Sequence, residues 1–341
     1  MSGERIKRAV KAILPRLLDG IGIYDRALAS AEQTGAAWLV VMYHRVIRST
    51  DSDPFRLGMC VTEQRFKEQV AFFADQFEPI TVLEGVSRLR AGKRFPRRAV
   101  SITFDDGYRD NAEIAWPILR QRAMPMSLYV PSGIFQSHPH HWWDRVIHAV
   151  YTTSKREITL ASVGMGGQDA VLNLSERRRG NAVRRILEML WGQPITGALA
   201  SVAAIEACLQ PPKQGATLPE TVSIEQLKKL SQEGVEIGAH SVTHPNMRLL
   251  SDDEVAREVS ESKQALEQLL GTPVAGFAYP SGFYDDRVVQ AVRASQFQYA
   301  VSTEPGLNAR SANPYLIERM GAPETNLADL KRCIANLARQ D

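Results

Sequence analysis

Two kinds of apolar pattern alternate along the chain. Short, mostly apolar stretches, "AWLVVMYH" (37–44), "AVSITF" (99–104), "MSLYV" (126–130), "VEIGAH" (235–240), "GFAYP" (276–280) and "YAVS" (299–302), predict buried strands. Between them lie segments whose apolar residues recur at helical spacing. "TEQRFKEQVAFFADQ" (62–76) puts Phe66, Val70 and Phe73 on one side, and "NAEIAWPILRQR" (111–122) predicts a helix that accommodates Pro117. "SIEQLKKLSQEG" (223–234) opens on a capping-box pair, Ser223 and Gln226, and ends at Gly234. "SDDEVAREVSESKQALEQLLG" (251–271) and "DDRVVQAVRAS" (285–295) complete the helical set. Strand alternating with helix predicts an α/β architecture built on a parallel sheet or barrel.

Residues 135–222 break this rhythm with "HPHHWWDRV", the polar "ASVGMGGQDAVLN" and the basic "SERRRGNAVRRILEMLW". Alternation resumes afterwards, so the stretch reads as an insertion of helices and loops in the α/β scaffold rather than a separate domain. Its arginines read as a solvated helix face, with contact to phosphate or an acidic substrate as the alternative. No internal repeat is visible.

Composition narrows the class. With 341 residues, 44% hydrophobic and 23% charged, the chain has the make-up of a soluble globular protein with ample core. A net charge of +3, spread along the chain, argues for no nucleic-acid partner. Cys60, Cys208 and Cys333 are far apart and form no Cys-x-x-Cys pair, which suits a reducing compartment and offers no thiolate metal site. The N-terminal stretch mixes Arg5, Lys7, Arg8, Lys11 and Arg16 with Ile6, Val10, Ile13, Leu14, Leu17 and Leu18. Pro15, Arg16 and Asp19 interrupt any long apolar run, so neither a signal peptide nor a membrane span is expected. A basic amphipathic helix over residues 1–35 is expected there, packed on the protein body or touching an anionic membrane surface. A cytoplasmic location is the resulting expectation, with peripheral contact at the inner membrane face as its extension.

The chemistry concentrates at two strand ends. In "VSITFDDGYRD" (100–110) a β-branched run stops at Asp105 and Asp106, followed by Gly107. Neighbouring side chains of an extended strand point to opposite faces, so both carboxylates can serve one cleft only if the strand ends and the chain bends. Asp-Gly is also an ordinary turn dipeptide, and these residues alone leave both readings open. "GAHSVTHPN" places His240 and His244 at a spacing that one helical turn would bring to a common face. With an aspartate from another strand end, the pair supplies two nitrogens and one oxygen. That donor set leaves coordination positions for water and substrate, as in a catalytic zinc-type site.

The ordered set "MYHRV", "TFDDGY", "EIGAHSVTHP", "ESKQALEQLLG" and "FAYPSG", spread over residues 38–322, resembles the polysaccharide deacetylases, the NodB-homology group of carbohydrate esterases. The resemblance implies a distorted (β/α) barrel of about seven strands across residues 36–325, followed by a C-terminal helix over 326–341, and a divalent metal: zinc first, with cobalt, nickel or manganese as alternatives. Matched position by position, Asp106, His240 and His244 would hold the metal and Asp105 would be the general base. Ser281, after Tyr279 and Pro280, would supply a backbone N–H to the oxyanion, with Tyr108, Trp143 and Asp144 as further substrate-binding candidates. Trp142, Trp143 and Asp144 read as a sugar-stacking rim or as core packing.

Two departures from the family pattern stand out. Ala278 occupies the place of an arginine that would orient the base, and Arg319 in "YLIERMGAP" is the candidate substitute. No histidine follows His244, although a late histidine is the usual general acid. His44 also ends a strand, and a circularly permuted order, as in members acting on poly-N-acetylglucosamine, would bring it to that place; His141 competes for the role. The implied substrate is an N-acetylated glycan or lipid-linked oligosaccharide. An O-deacetylase or amidase on a smaller substrate, and a catalytically silent glycan-binding protein, remain as alternatives.

Overall fold

The computed structural model describes residues 38–49, 59–136, 139–166, 170–212 and 218–338. The basic N-terminal segment, expected to be helical, lies outside them. Among the described residues the scaffold is a ring of seven parallel strands, β1 (Trp38–Tyr43), β2 (Ala99–Phe104), β3 (Met126–Val130), β4 (Glu236–Ala239), β5 (Gly276–Ala278), β6 (Tyr299–Val301) and β7 (Met320–Gly321), with the two-residue segment Glu78–Pro79 pairing off the ring with the start of β2. Their spatial order is β6-β5-β4-β3-β2-β1-β7. Closure depends on one segment. Ile317 makes a parallel bridge to Val301, while three residues on Met320 lies opposite Val41 and Gly321 opposite Met42. One extended segment thus pairs first with β6 and then with β1, giving the distorted (β/α) barrel that the alternating pattern implied.

The helices between strands are α1 (Glu63–Gln76), α2 (Val82–Arg90), α3 (Trp116–Gln121), α7 (Ile224–Gln232), α8 (Asp252–Leu270) and α9 (Asp286–Ala294), with α4 (Trp142–Thr152), α5 (Arg179–Trp191) and α6 (Ile195–Leu209) in the insertion and α10 (Leu327–Leu337) at the C-terminal end. Local chemistry sets their starts. Thr62 caps α1, and Ser223 with Gln226 and Ser251 with Glu254 form complete capping boxes on α7 and α8. Pro117 falls in the first turn of α3, directly after a π-helical turn at Asn111–Ala115.

Strand alternation separates two cores. Leu39, Val41, Tyr43, Val100, Ile102 and Phe104 pack outward against Phe66, Val70 and Phe73 of α1 and the other helices. Trp38, Val40, Tyr129, Tyr299, Val301 and Ile317 fill the barrel with Val82, Val86 and Leu89 of α2. Helix α2 therefore plugs the N-terminal end of the barrel, close enough that a Cβ on Gly85 would sit 2.4 Å from the Trp38 ring. The plugged end leaves the opposite, C-terminal mouth as the place for chemistry.

The insertion is more structured than expected. It contains α4 (Trp142–Thr152), α5 (Arg179–Trp191) and α6 (Ile195–Leu209), and also an antiparallel strand pair, Glu157–Thr159 with Val171–Asn173. These elements enclose a core of their own, built from Trp142, Val146, Val150, Val183, Ile186, Val202 and Ile205 among others. The short pair escapes a reading by periodicity because three residues a side cannot show a repeat. Among the described residues, no helix is long and apolar enough to cross a membrane.

Candidate active site

The site grows from strand ends. Ser101 and Thr103 face the barrel interior and Asp105 continues that alternation, its N–H bonded to the Tyr43 carbonyl at 3.0 Å. Asp106 would then face outward. It does not, because its φ is +72° and that of Gly107 is +68°, so the chain turns on two successive left-handed residues and both carboxylates enter one cavity. A Cβ at Gly107 would meet the Val130 side chain at 2.9 Å, which closes this position to larger residues.

The histidine pair reaches the same place by a route other than the expected helical turn. His240 follows β4, and the chain then runs through a loop with Ser241 at φ +63° and His244 at φ +54°. Glu258 of α8 holds that loop, accepting from the backbone N–H groups of Val242 at 2.7 Å and Thr243 at 3.0 Å and from the Thr243 hydroxyl at 2.6 Å. His244 N–H donates to the Ser241 hydroxyl at 3.0 Å. A loop satisfied by side chains does what a helical turn would have done, without the helix.

Asp106, His240 and His244 offer one ligand atom each within 4.8 Å of one another, all buried. Both Nε2 atoms lie 3.6 Å from Asp106 Oδ1. His240 donates through Nδ1 to the Ala278 carbonyl at 2.7 Å, which leaves its Nε2 as the lone-pair nitrogen facing Asp106. Asp106 Oδ1 and His244 Nδ1 are buried without a hydrogen-bond partner. Burial lowers both imidazoles below the ordinary histidine range and so keeps them neutral. Burial, reinforced by Asp105 and Asp144, raises Asp106 well above the usual carboxylate range. A buried carboxylate oxygen with no donor, facing two neutral imidazoles, is a donor set that a divalent cation fits, since the cation supplies the missing positive charge.

Asp105 is arranged differently. Burial alone would raise its pKa, but the Arg319 guanidinium overrides this and holds it well below the ordinary range. Arg319 Nη1 and Nη2 donate to Oδ1 and Oδ2 at 2.7 Å each, and Nε donates to the Ser302 carbonyl at 2.7 Å. The register explains the reach: Met320 faces outward beside Val41, so Arg319, one residue earlier, points into the barrel. There it is wholly buried, with its guanidinium carbon 5.6 Å from the centre of the Tyr129 ring.

His44, at the end of β1, is half-buried. Burial brings its pKa down to about 4, with Asp105 pulling the other way and Arg319 and His240 adding to the fall. The structure thus brings Asp105, Asp106, His240, His244, Arg319 and His44 to one end of the barrel. Ser281 stands exposed after β5 with φ +50°. Pro280 is buried, and so is Tyr279, whose hydroxyl donates to the Tyr315 carbonyl at 3.0 Å.

Of the two readings of Trp142, Trp143 and Asp144, burial favours core packing over a sugar-stacking rim. Trp142 and Trp143 are 5% and 3% exposed, and Asp144 and Tyr108 are buried as well. Their apolar rings are covered by the insertion, and their polar atoms bond to one another and to the loops of the site. His141, weighed above as an acid, is likewise buried, with Nε2 bonded to the Asp106 carbonyl at 3.1 Å.

Residues 200–300 match the polysaccharide deacetylase family model. That stretch is similar to the polysaccharide deacetylases. A Bacillus subtilis protein named "Putative polysaccharide deacetylase YxkH" is 20% identical over 282 residues, 82% of this chain and 70% of that protein. The Escherichia coli K12 poly-β-1,6-N-acetyl-D-glucosamine N-deacetylase is 28% identical over 118 residues, 34% of this chain but 17% of the relative's length. The Streptococcus pyogenes deacetylase PplD, solved in complex with acetate, superposes with a TM-score of 0.58 at 17% identity, covering 88% of this chain and 97% of that one. At that identity the likeness speaks for the polysaccharide deacetylase fold.

Proposed function

We propose that this chain is a metal-dependent de-N-acetylase that removes acetyl groups from N-acetylhexosamine units of a surface polysaccharide or its lipid-linked precursor. The observation that carries the reading is the pairing of two unlike carboxylates at the barrel mouth: Asp106 buried without a donor between two neutral imidazoles, and Asp105 held ionised by Arg319. The name of the Escherichia coli relative, a poly-β-1,6-N-acetyl-D-glucosamine N-deacetylase, supports the choice of a hexosamine amide.

The residues divide the work as follows. Asp106, His240 and His244 would hold a divalent ion, which when bound supplies Lewis acidity and a water whose pKa falls toward about 7. Asp105 spends one lone pair of each oxygen on Arg319 and keeps the others, so it can accept the proton of the attacking water while Arg319 prevents it from rotating. Hydrolysis forms a bond from the water oxygen to the acyl carbon and breaks the C–N bond, and the departing amine requires a proton. His44 is the donor. Because it begins neutral, the proton it delivers is one it takes up during turnover, and the proton that Asp105 removes from the water is the one that balances the reaction. The Ser281 N–H, on an exposed turn beyond β5, is the backbone donor for the oxyanion.

The test is acetate release from a panel of N- and O-acetylated oligosaccharides, before and after chelation. Release from N-acetylhexosamine oligomers, lost on metal removal and restored by zinc, is the expected result. Undiminished release after complete metal removal would sink the metal mechanism, and release from O-acetyl esters alone would sink the amide assignment.

A further inference from the structure

The run "HPHHWWDRV" enters the insertion with consecutive aromatic and imidazole rings, and the geometry gives them one address. His141 immediately precedes α4, and its Nε2 donates to the backbone carbonyl of Asp106 at 3.1 Å rather than to the helix start. Trp142 Nε1 points to the backbone carbonyl of His244 at 3.5 Å. The Trp143 ring stacks on His141, centroids 4.3 Å apart and 5° from parallel, and the His244 ring lies 4.5 Å from it at a tilt of 55°. Trp143 Nε1 donates to the Tyr108 hydroxyl at 2.9 Å, which donates to Asp144 at 3.0 Å. The first turn of α4 therefore grips both loops that carry Asp106 and His244, and these are two of the residues with positive φ. A non-glycine residue in that region costs on the order of 1–3 kcal/mol and persists only where its surroundings over-determine it.

We propose that the first turn of α4 is a clamp that holds Asp106 and His244 in the ligating conformation, so that the insertion is part of the metal centre, with His141 and Trp143 as positioning residues. The proposal rests on the reading of Asp106, His240 and His244 as metal ligands. Removing an outer partner of a metal ligand typically lowers affinity about 10–100-fold. The clamp acts through backbone and ring contacts, so the shape of each side chain matters more than its charge.

The experiment measures zinc affinity of the apo chain by competition with a chromophoric chelator, together with the indole emission during titration. Wild-type protein is expected to bind zinc with a change in emission that Trp143→Phe abolishes. His141→Leu and His141→Asn, which respectively lack the donor and fall short of the Asp106 carbonyl, should weaken zinc by about 10–100-fold. His141→Gln, with an N–H of similar reach, should recover most of that loss. Val202→Ala, which thins the insertion core at a residue that makes none of these hydrogen bonds or ring contacts, should lower stability and leave zinc affinity unchanged. Wild-type affinity in folded His141→Leu and His141→Asn would overturn the clamp while leaving the metal centre standing. An equal loss in Val202→Ala would also overturn it, since any weakening of the insertion would then suffice. Failure of the wild-type chain to bind zinc would overturn the metal centre itself, and the clamp with it.

Discussion

Replacing Arg319 with Met is the sharpest test of how the site is held. Arg319 is 0% exposed and Asp105 2%, so neither can be rescued by water once its partner is gone. The substitution keeps most of the apolar length of the side chain, which limits any cavity term, and removes both 2.7 Å bonds to Asp105 together with the 2.7 Å bond to the Ser302 carbonyl. Breaking a buried ion pair from one side typically costs about 3–5 kcal/mol. Urea unfolding of the metal-free protein is the appropriate assay, because bound metal would add its own linkage. The sign of the pH dependence follows from the direction of the shift. Arg319 depresses Asp105, so its contribution is fully present above the unfolded-state value of about 3.9 and is lost as pH falls below it. The penalty of Arg319→Met should accordingly be largest near neutral pH and shrink in acid. The double variant Asp105→Leu/Arg319→Met, which removes both charges, should be more stable than Arg319→Met alone. A loss below about 1 kcal/mol at neutral pH, the size of an exposed pair, would refute the reasoning. Strict additivity in the double variant would refute it equally.

The paired acids should separate cleanly: Asp105→Asn is expected to keep zinc and lose about 10²–10⁴ in turnover, and Asp106→Ala to lose zinc and activity together, with zinc retained by Asp106→Ala reversing the assignment. His44→Ala should bind zinc normally and slow amide hydrolysis more than hydrolysis of an activated ester, whose leaving group needs no proton; equal losses on the two substrates would assign His44 a structural role. Gly238→Ala places a Cβ 2.3 Å from the Tyr129 ring beneath Arg319, so it should cost about 1–3 kcal/mol of stability in urea although it alters no polar group, and a neutral outcome would mean that the barrel interior is not packed as described.

Much of this protein is legible in its linear pattern. Buried strands and amphipathic helices follow from periodicity, because burial on one face or two leaves a repeat of two or of 3.6 residues. Helix starts at Thr62, Ser223 and Ser251 follow from the need to satisfy orphan N–H groups within a few residues. The candidate base and ligands are equally visible, since Asp105, Asp106 and His240 lie where an apolar strand stops and His244 follows four residues after His240. A strand end in a parallel barrel is a place where side chains leave the packed core and converge on the mouth.

Tertiary structure alone decided the rest. The short β7 and the antiparallel pair in the insertion hold too few residues for any repeat, and they exist because neighbouring segments offer unpaired backbone groups. The partner of Asp105 comes from 214 residues away, and which arginine fills the place left by Ala278 depended on the inward face that Arg319 takes beside β1. Trp143 and Asp144 looked like a surface for sugars because aromatic and acidic residues suit both a rim and a core, and the packing of α4 against the site loops settled them as core. Local sequence determines what each segment prefers and where its chemistry is carried. Which distant side chain satisfies a buried charge is decided only when the barrel closes, because a contact between residues so far apart in the chain leaves no trace in the spacing of either one.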